Sequence, residues 1–135
     1  MTDDSGVSIP QRHALLVEDE ALVAMVAEES LRIIGFEPLS VRTAGEALAA
    51  LADRPNLDLA VIDVGLPDMR GDDLAKRARE MSPNLPIVVA SGYDEADLKR
   101  LFLHDHMTAV LGKPYTDRDL ARVISGLGLA IVEES

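Results

Sequence analysis

The stretch Leu57-Asp-Leu-Ala-Val-Ile-Asp-Val64 (57–64, LDLAVIDV) decides how the rest of the chain is read. It is a short, β-branched, nearly unbroken apolar run, the pattern of a strand buried on both faces of a sheet. Its one internal charge near the end, Asp63, therefore sits where a buried strand runs out. Working outward, the same grammar recurs on both sides. His13 to Glu18 (HALLVE) and Leu85 to Ser91 (LPIVVAS) are further apolar runs, and Phe36 to Arg42 and Thr108 to Gly112 complete five. Pro86 is tolerable at the start of its strand.

Helical spacing fills the gaps. From Glu20 to Ile34, Val23, Val26, Ala27, Leu31 and Ile34 share one face, and Gly35 is placed to end the helix in the left-handed conformation of a C-cap. Thr43-Ala-Gly-Glu46 matches a capping box opening an alanine-rich second helix. A third helix starts near Asp72 and presents Leu74, Ala75, Ala78 and Met81. A weaker one covers about Asp94 to Leu103. The last, from Asp117, carries Leu120, Val123, Ile124 and Leu127 before fading at Gly126 and Gly128. Strands alternating with helices through short loops imply an α/β domain: a parallel sheet with helices on both faces. Residues 1–11 are expected to be a flexible lead-in, 12–128 the domain, and 129–135 a loose tail.

Composition narrows the function. The 135 residues suit one domain, and zero Cys excludes disulfides, zinc–thiolate sites and thiol nucleophiles. Thirteen Lys and Arg against 24 Asp and Glu leave a formal net charge of −11, which disfavours direct nucleic-acid binding. Two Phe, two Tyr and no Trp offer no stacking platform for single strands. Neither a membrane-spanning run nor a signal peptide is visible, so a cytoplasmic setting without membrane contact is expected.

Parallel sheets place their sites outside the carboxyl ends of the strands. Those ends are Glu18-Asp19-Glu20, Asp63, Ser91-Gly92 and Gly112-Lys113-Pro114. Each has a plainer reading taken singly: Asp19 or Glu20 can offset a helix dipole, Ser91 can be an N-cap, and Lys113 can be a solvated turn residue. Together they say more. Two carboxylates about 5 Å apart repel by roughly 3 kcal/mol at an effective dielectric near 20. A hard divalent cation relieves that repulsion, and all-oxygen ligands suit Mg²⁺. Carboxylate, metal, ammonium and hydroxyl together can stabilise a phosphoryl group in transfer, with one carboxylate as nucleophile. Asp63 is the candidate nucleophile, and Glu18 with Asp19 the candidate metal pair.

Leu16-Val-Glu-Asp-Glu20, Val61-Ile-Asp-Val-Gly-Leu-Pro-Asp-Met-Arg-Gly71, Val89-Ala-Ser-Gly-Tyr93 and Gly112-Lys-Pro-Tyr115, in that order and spacing, resemble the receiver domain of two-component response regulators over about His13 to Leu127. The resemblance implies a flavodoxin-like, doubly wound five-stranded parallel sheet of order 2-1-3-4-5 with five helices. It implies Asp63 as phosphoacceptor, with Ser91 and Lys113 on the phosphoryl oxygens. Asp19 would be a direct Mg²⁺ ligand, Glu18 would act through water, and Gly65 would offer its carbonyl to the metal. A cis Lys113–Pro114 peptide is also implied. The partner would be a sensor histidine kinase or a histidine phosphotransfer protein, and the chain is expected to be a stand-alone receiver that works through protein–protein contact alone, as a phosphorelay shuttle, as a sink for a kinase, or by binding a downstream target directly. Such a chain is a signalling switch, not a turnover enzyme.

Two departures from the family pattern stand out. The usual aromatic three residues before the lysine is Val110 here. Leu85 to Tyr93 resembles the strand-four signature of the FATGUY receivers, often single-domain proteins, which tend to lack that aromatic. Tyr93 is then either part of the switch or a rim aromatic packed on its loop. Leu22 and Met25 lie off the inner stripe of the first helix and are expected to form the kinase-docking surface.

Three competing readings are weaker. A haloacid-dehalogenase-type, Mg-dependent aspartyl-phosphate phosphatase wants a second Asp two residues after the nucleophile, where Gly65 stands. A dinucleotide-binding module wants a glycine-rich loop after the first strand, where Glu18-Asp19-Glu20 would repel phosphate. A pseudo-receiver scaffold would act without phosphorylation, against the workable residues at all five positions. His104-Asp-His106 suggests a surface turn more than a metal site.

Overall fold

In the computed structural model, which describes residues 11–132, five parallel strands stand in the order β2-β1-β3-β4-β5. The strands are β1 (Arg12–Val17), β2 (Phe36–Val41), β3 (Leu59–Asp63), β4 (Ile87–Ser91) and β5 (Thr108–Gly112). Between and after them run α1 (Ala21–Ile34), α2 (Ala44–Asp53), α3 (Gly71–Met81), α4 (Glu95–Leu101) and α5 (Asp117–Gly126). The parallel sheet with helices on both faces is the one implied by the alternation of elements, and its strand order is the one implied by the resemblance.

Strand side chains alternate between two cores, as the period of two requires. Leu15, Val17, Ala60, Ile62, Ile87 and Val89 face one cluster, closed by Ala44, Ala47 and Leu51 of α2, Leu74, Ala75 and Ala78 of α3, and Leu98 of α4. Ala14, Leu16, Leu59, Val61 and Val88 face the other, closed by Ala27, Leu31 and Ile34 of α1 and Leu120 and Ile124 of α5. Strand β3 lies between β1 and β4, and Leu59 to Ile62 are all buried.

Helix ends follow local chemistry. Gly35 ends α1 at φ 119°, and its N–H donates to the Leu31 and Arg32 carbonyls. The Thr43 hydroxyl accepts the Glu46 N–H at 3.1 Å, but Glu46 reaches back to the Arg42 N–H rather than to that of Thr43. A complete capping box sits instead at Thr116 and Asp119 on α5, legible in Thr-Asp-Arg-Asp but not read there.

The structure corrects the apolar stripes at their ends. Val26, placed on the inner face of α1, is 69% exposed, and Ser30 takes a buried place instead. The part of α1 that packs on the sheet is its last two turns, from Ala27 to Ile34. Met81, placed on the inner face of α3, is likewise exposed at that helix's last residue. Residues 129–132, expected to be loose, lie against the α1–α5 core: Leu129 and Ile131 pack there, and the Val132 N–H donates to the Ile34 carbonyl at 2.8 Å. The expected flexible lead-in, apart from Gln11, and residues 133–135 lie outside the described residues. Among the described residues no helix is long and apolar enough to cross a membrane.

Candidate functional site

Strands β1, β3, β4 and β5 deliver their last residues to one rim. Glu18 follows β1, Asp63 ends β3, Ser91 ends β4, and Lys113 follows β5. Parallel pairing sets them side by side, with Val17 opposite Ile62, Asp63 opposite Ala90, and Ser91 opposite Gly112.

Lys113 is the centre of charge. Its Nζ donates to Asp63 Oδ1 at 2.7 Å and to Glu18 Oε1 at 3.2 Å. Burial alone would lower the Lys113 pKa, but the bond to Asp63, the Asp63 charge and then Glu18 outweigh it and raise it. Glu18 is 5% exposed. Burial pushes its carboxyl up, the Glu20 N–H pulls it down, Asp63 pushes it up again and Lys113 opposes; the net direction is upward. Burial is thus the main reason the Glu18 carboxyl is held above its ordinary value.

Glu18, Asp19 and Asp63 each offer a carboxylate oxygen, all within 4.8 Å of one another. Oxygen donors so close together fit a hard divalent cation. Gly65 lies on the loop after β3, where its N–H donates to Asp63 Oδ2 at 3.1 Å and the residue bridges Arg70. That loop is closed from below. Gly71 donates to the Val64 carbonyl at 2.9 Å, and a methyl group on it would lie 2.7 Å from the Asp63 carbonyl carbon.

Ser91 reaches the rim, yet its hydroxyl is engaged by its own loop: it accepts the Tyr93 N–H at 3.0 Å and donates to the Tyr93 carbonyl. The Tyr93 ring is 83% exposed, so it does not pack on the loop. The Lys113–Pro114 peptide is cis, as the resemblance implied. His104 and His106 are exposed near the turn before β5 and belong to no metal-ligating group among the described residues.

Three residues of consequence escaped the sequence reading. Asp68 accepts the Ala44 and Gly45 N–H groups at 2.9 and 3.0 Å, tying the β3–α3 loop to the start of α2. Tyr115 is partly buried against the α1–α5 core and lines a groove with Leu22, Val26 and Pro114. Glu95 lies over Gly112. Asp68 and Glu95 meet residues well over a dozen positions away and Tyr115 meets α1, so no local spacing announces them; only the Thr116 cap carried a readable signal.

Comparison with known proteins agrees with this geometry. The family model described as the response regulator receiver domain matches residues 14–125. The chain is 32% identical over 123 residues to the transcriptional regulatory protein PdtaR of Mycobacterium tuberculosis, covering 91% of this chain and 59% of that protein. It is 31% identical to the aerobic respiration control sensor protein ArcB of Escherichia coli, over 90% of this chain and 16% of that one. The chain thus spans about three-fifths of one such relative and a small part of the other. Among solved structures, a CheY-like receiver domain protein from Methanospirillum hungatei superposes with a TM-score of 0.76 at 28% identity, covering 86% of this chain and 92% of that one. A response regulator receiver protein from Sinorhizobium medicae gives 0.75 at 29%, covering 90% and 94%. With its strand order, its rim of acids and lysine, and a family match across nearly its whole length, the chain belongs to the response regulator receiver domains.

Proposed function

We propose that this domain is a phosphorylation switch in which Asp63 accepts a phosphoryl group from a phosphohistidine on a sensor histidine kinase or histidine phosphotransfer protein. The observation that carries the reading is the Asp63 carboxylate at the end of β3, hydrogen-bonded by Lys113 and flanked by Glu18 and Asp19. In the step, an Asp63 carboxylate oxygen attacks phosphorus and the P–N bond breaks. The imidazole leaves with the electron pair, and an acyl phosphate remains on Asp63.

Glu18, Asp19, Asp63 and the Gly65 carbonyl are the groups that would hold Mg²⁺. When bound, such an ion neutralises phosphoryl oxygens and orients the donor. Lys113 supplies a fixed positive charge at the carboxylate that becomes phosphorylated, and Ser91, once released from Tyr93, supplies a hydroxyl donor. Water later attacks phosphorus, the acyl oxygen leaves as the restored carboxylate, and inorganic phosphate departs. The domain resets itself without being an enzyme of any other substrate.

The output is a shift between two surfaces rather than a new product. Leu22, 77% exposed on α1, lines a groove with Val26, Pro114 and Tyr115, and Met25, 62% exposed, lies three residues further along the helix. This apolar face next to the rim suits the helix that presents phosphohistidine. The test is intact mass after exposure to acetyl phosphate. One phosphoryl adduct should appear with Mg²⁺ and be absent with EDTA or in Asp63→Asn. No adduct under any condition, with beryllofluoride also failing to bind, would return the domain to a scaffold.

A further inference from the structure

We propose that Asp68 is a positioning residue for the divalent-cation site: by capping α2 from the β3–α3 loop, it holds the segment that carries the Gly65 carbonyl beside the rim carboxylates and so sets the affinity of the domain for Mg²⁺. The proposal deepens the phosphorylation reading above and rests on it.

The start of α2 is capped from two sides. The Glu46 N–H goes to the Thr43 hydroxyl at 3.1 Å, and the Ala47 N–H to the Thr43 carbonyl at 3.1 Å. The Ala44 and Gly45 N–H groups, which no earlier turn of helix can serve, donate to Asp68 instead, one to each carboxylate oxygen, at 2.9 and 3.0 Å. These two bonds hold the Asp68 carboxyl below its ordinary value, so both oxygens stay acceptors. The helix is a firm anchor, because Ala44, Ala47 and Leu51 are buried in the core.

The loop at the other end of this bond pair runs from Asp63 to Gly71. Its base is closed by the Gly71 N–H on the Val64 carbonyl at 2.9 Å and by the pairing of Gly65 with Arg70. Gly65 donates its N–H to Asp63 Oδ2 at 3.1 Å, and Asp68 follows at the outer bend of the same loop. Leu66 and Met69 rest partly buried on the core, but apolar packing is non-directional, whereas two hydrogen bonds fix both position and orientation. Among the described residues Asp68 lies outside the group of carboxylates gathered at the rim, so it acts through the loop and not as a ligand. Cut free of α2, the loop has to be ordered each time a cation is held, and that lost entropy weakens binding.

Three substitutions separate this role from charge and from helix stability. Mg²⁺ binding to the whole chain is measured by isothermal titration calorimetry, and phosphoryl uptake from acetyl phosphate is followed by mass across Mg²⁺ concentrations. Asp68→Ala should weaken Mg²⁺ binding about tenfold and shift the half-saturating Mg²⁺ for uptake alike, with the rate at saturating Mg²⁺ kept near that of the wild type. Asp68→Asn has lost the charge but keeps one acceptor oxygen, so it should recover part of the affinity. Thr43→Ala frays the same helix end without touching the loop and should bind Mg²⁺ as the wild type does.

Unchanged affinity in Asp68→Ala would overturn the proposal. So would Asp68→Asn as weak as Asp68→Ala, which assigns the loss to charge, or Thr43→Ala as weak as Asp68→Ala, which assigns it to the stability of α2. In each case, Mg²⁺-dependent uptake by the wild type leaves the switch reading standing. A wild type that neither binds Mg²⁺ nor takes up a phosphoryl group would overturn both.

Discussion

Lys113 Nζ donates to Asp63 Oδ1 at 2.7 Å across 50 residues of sequence, and the same ammonium reaches Glu18 at 3.2 Å. One lysine thus serves two acids that would otherwise face each other uncompensated. Replacing it with alanine leaves a nearly buried Glu18 and the Asp63 carboxylate without their cation, and removes the charge that would meet the phosphoryl oxygens. Lys113→Ala should slow phosphoryl uptake from acetyl phosphate by about 10²-fold. Uptake at the wild-type rate would show that Lys113 is only a partner of the resting acids.

Gly71 opens α3 against the backbone at the end of β3, 2.7 Å in projected methyl distance from both the Asp63 carbonyl carbon and Val64 Cα. Backbone cannot give way as a flexible side chain can. Gly71→Ala should cost about 3 kcal/mol in urea unfolding. Gly45→Ala, whose methyl group would meet the Asp68 carboxylate at 3.6 Å and the Thr43 hydroxyl at 3.9 Å, both ordinary contacts, should stay within about 0.5 kcal/mol of the wild type. Equal effects would mean that the α3 start shifts freely.

The Arg79 guanidinium joins α3 to the turn before β5, donating to Asp105 at 3.0 Å, Thr108 at 2.8 Å and the Leu85 carbonyl at 2.6 Å. Burial pushes the Asp105 carboxyl up, but the Thr108 hydroxyl, Arg79 and the Met107 N–H outweigh it and hold it below the ordinary aspartate value. A depressed carboxyl contributes stability that is complete above the unfolded value of about 3.9 and lost as pH falls through the folded one. Asp105→Asn should therefore be about 2 kcal/mol less stable near pH 7. The gap to the wild type should narrow in acid below about pH 4. A gap of constant size from pH 7 to 3 would remove the charge from this account.

Leu22 and Met25 project from α1 beside the rim, and Val26 extends that surface toward Pro114 and Tyr115. Met25→Asp and Val26→Asp should leave stability and acetyl phosphate uptake unchanged, since neither side chain is in the core. Transfer from a phosphohistidine donor should fall by about tenfold or more. Equal loss with both donors would place the defect in the site instead.

Much of this was legible in the chain itself. The alternation of apolar runs with helical stripes, the glycine that ends α1 at position 35 and the acidic rim at Glu18, Asp19 and Asp63 are local patterns. Side-chain period, cap chemistry and strand burial act within a few residues, so they survive in one dimension. Chain order plus the rule for parallel sheets then placed these acids and Lys113 at one rim, where the structure brings them together.

What the tertiary structure decided depends on distances between segments far apart in sequence. Val26 and Met81 are apolar and correctly spaced, yet solvent reaches them because each helix packs on the sheet along only part of its length. The Ser91 hydroxyl bonds Tyr93 rather than turning to Asp63, and Glu95 reaches over Gly112, where the missing side chain leaves room. Periodicity says which way a side chain points along its own element; it does not say how far the neighbouring element extends, and burial, pairing and close approach are set by that extent.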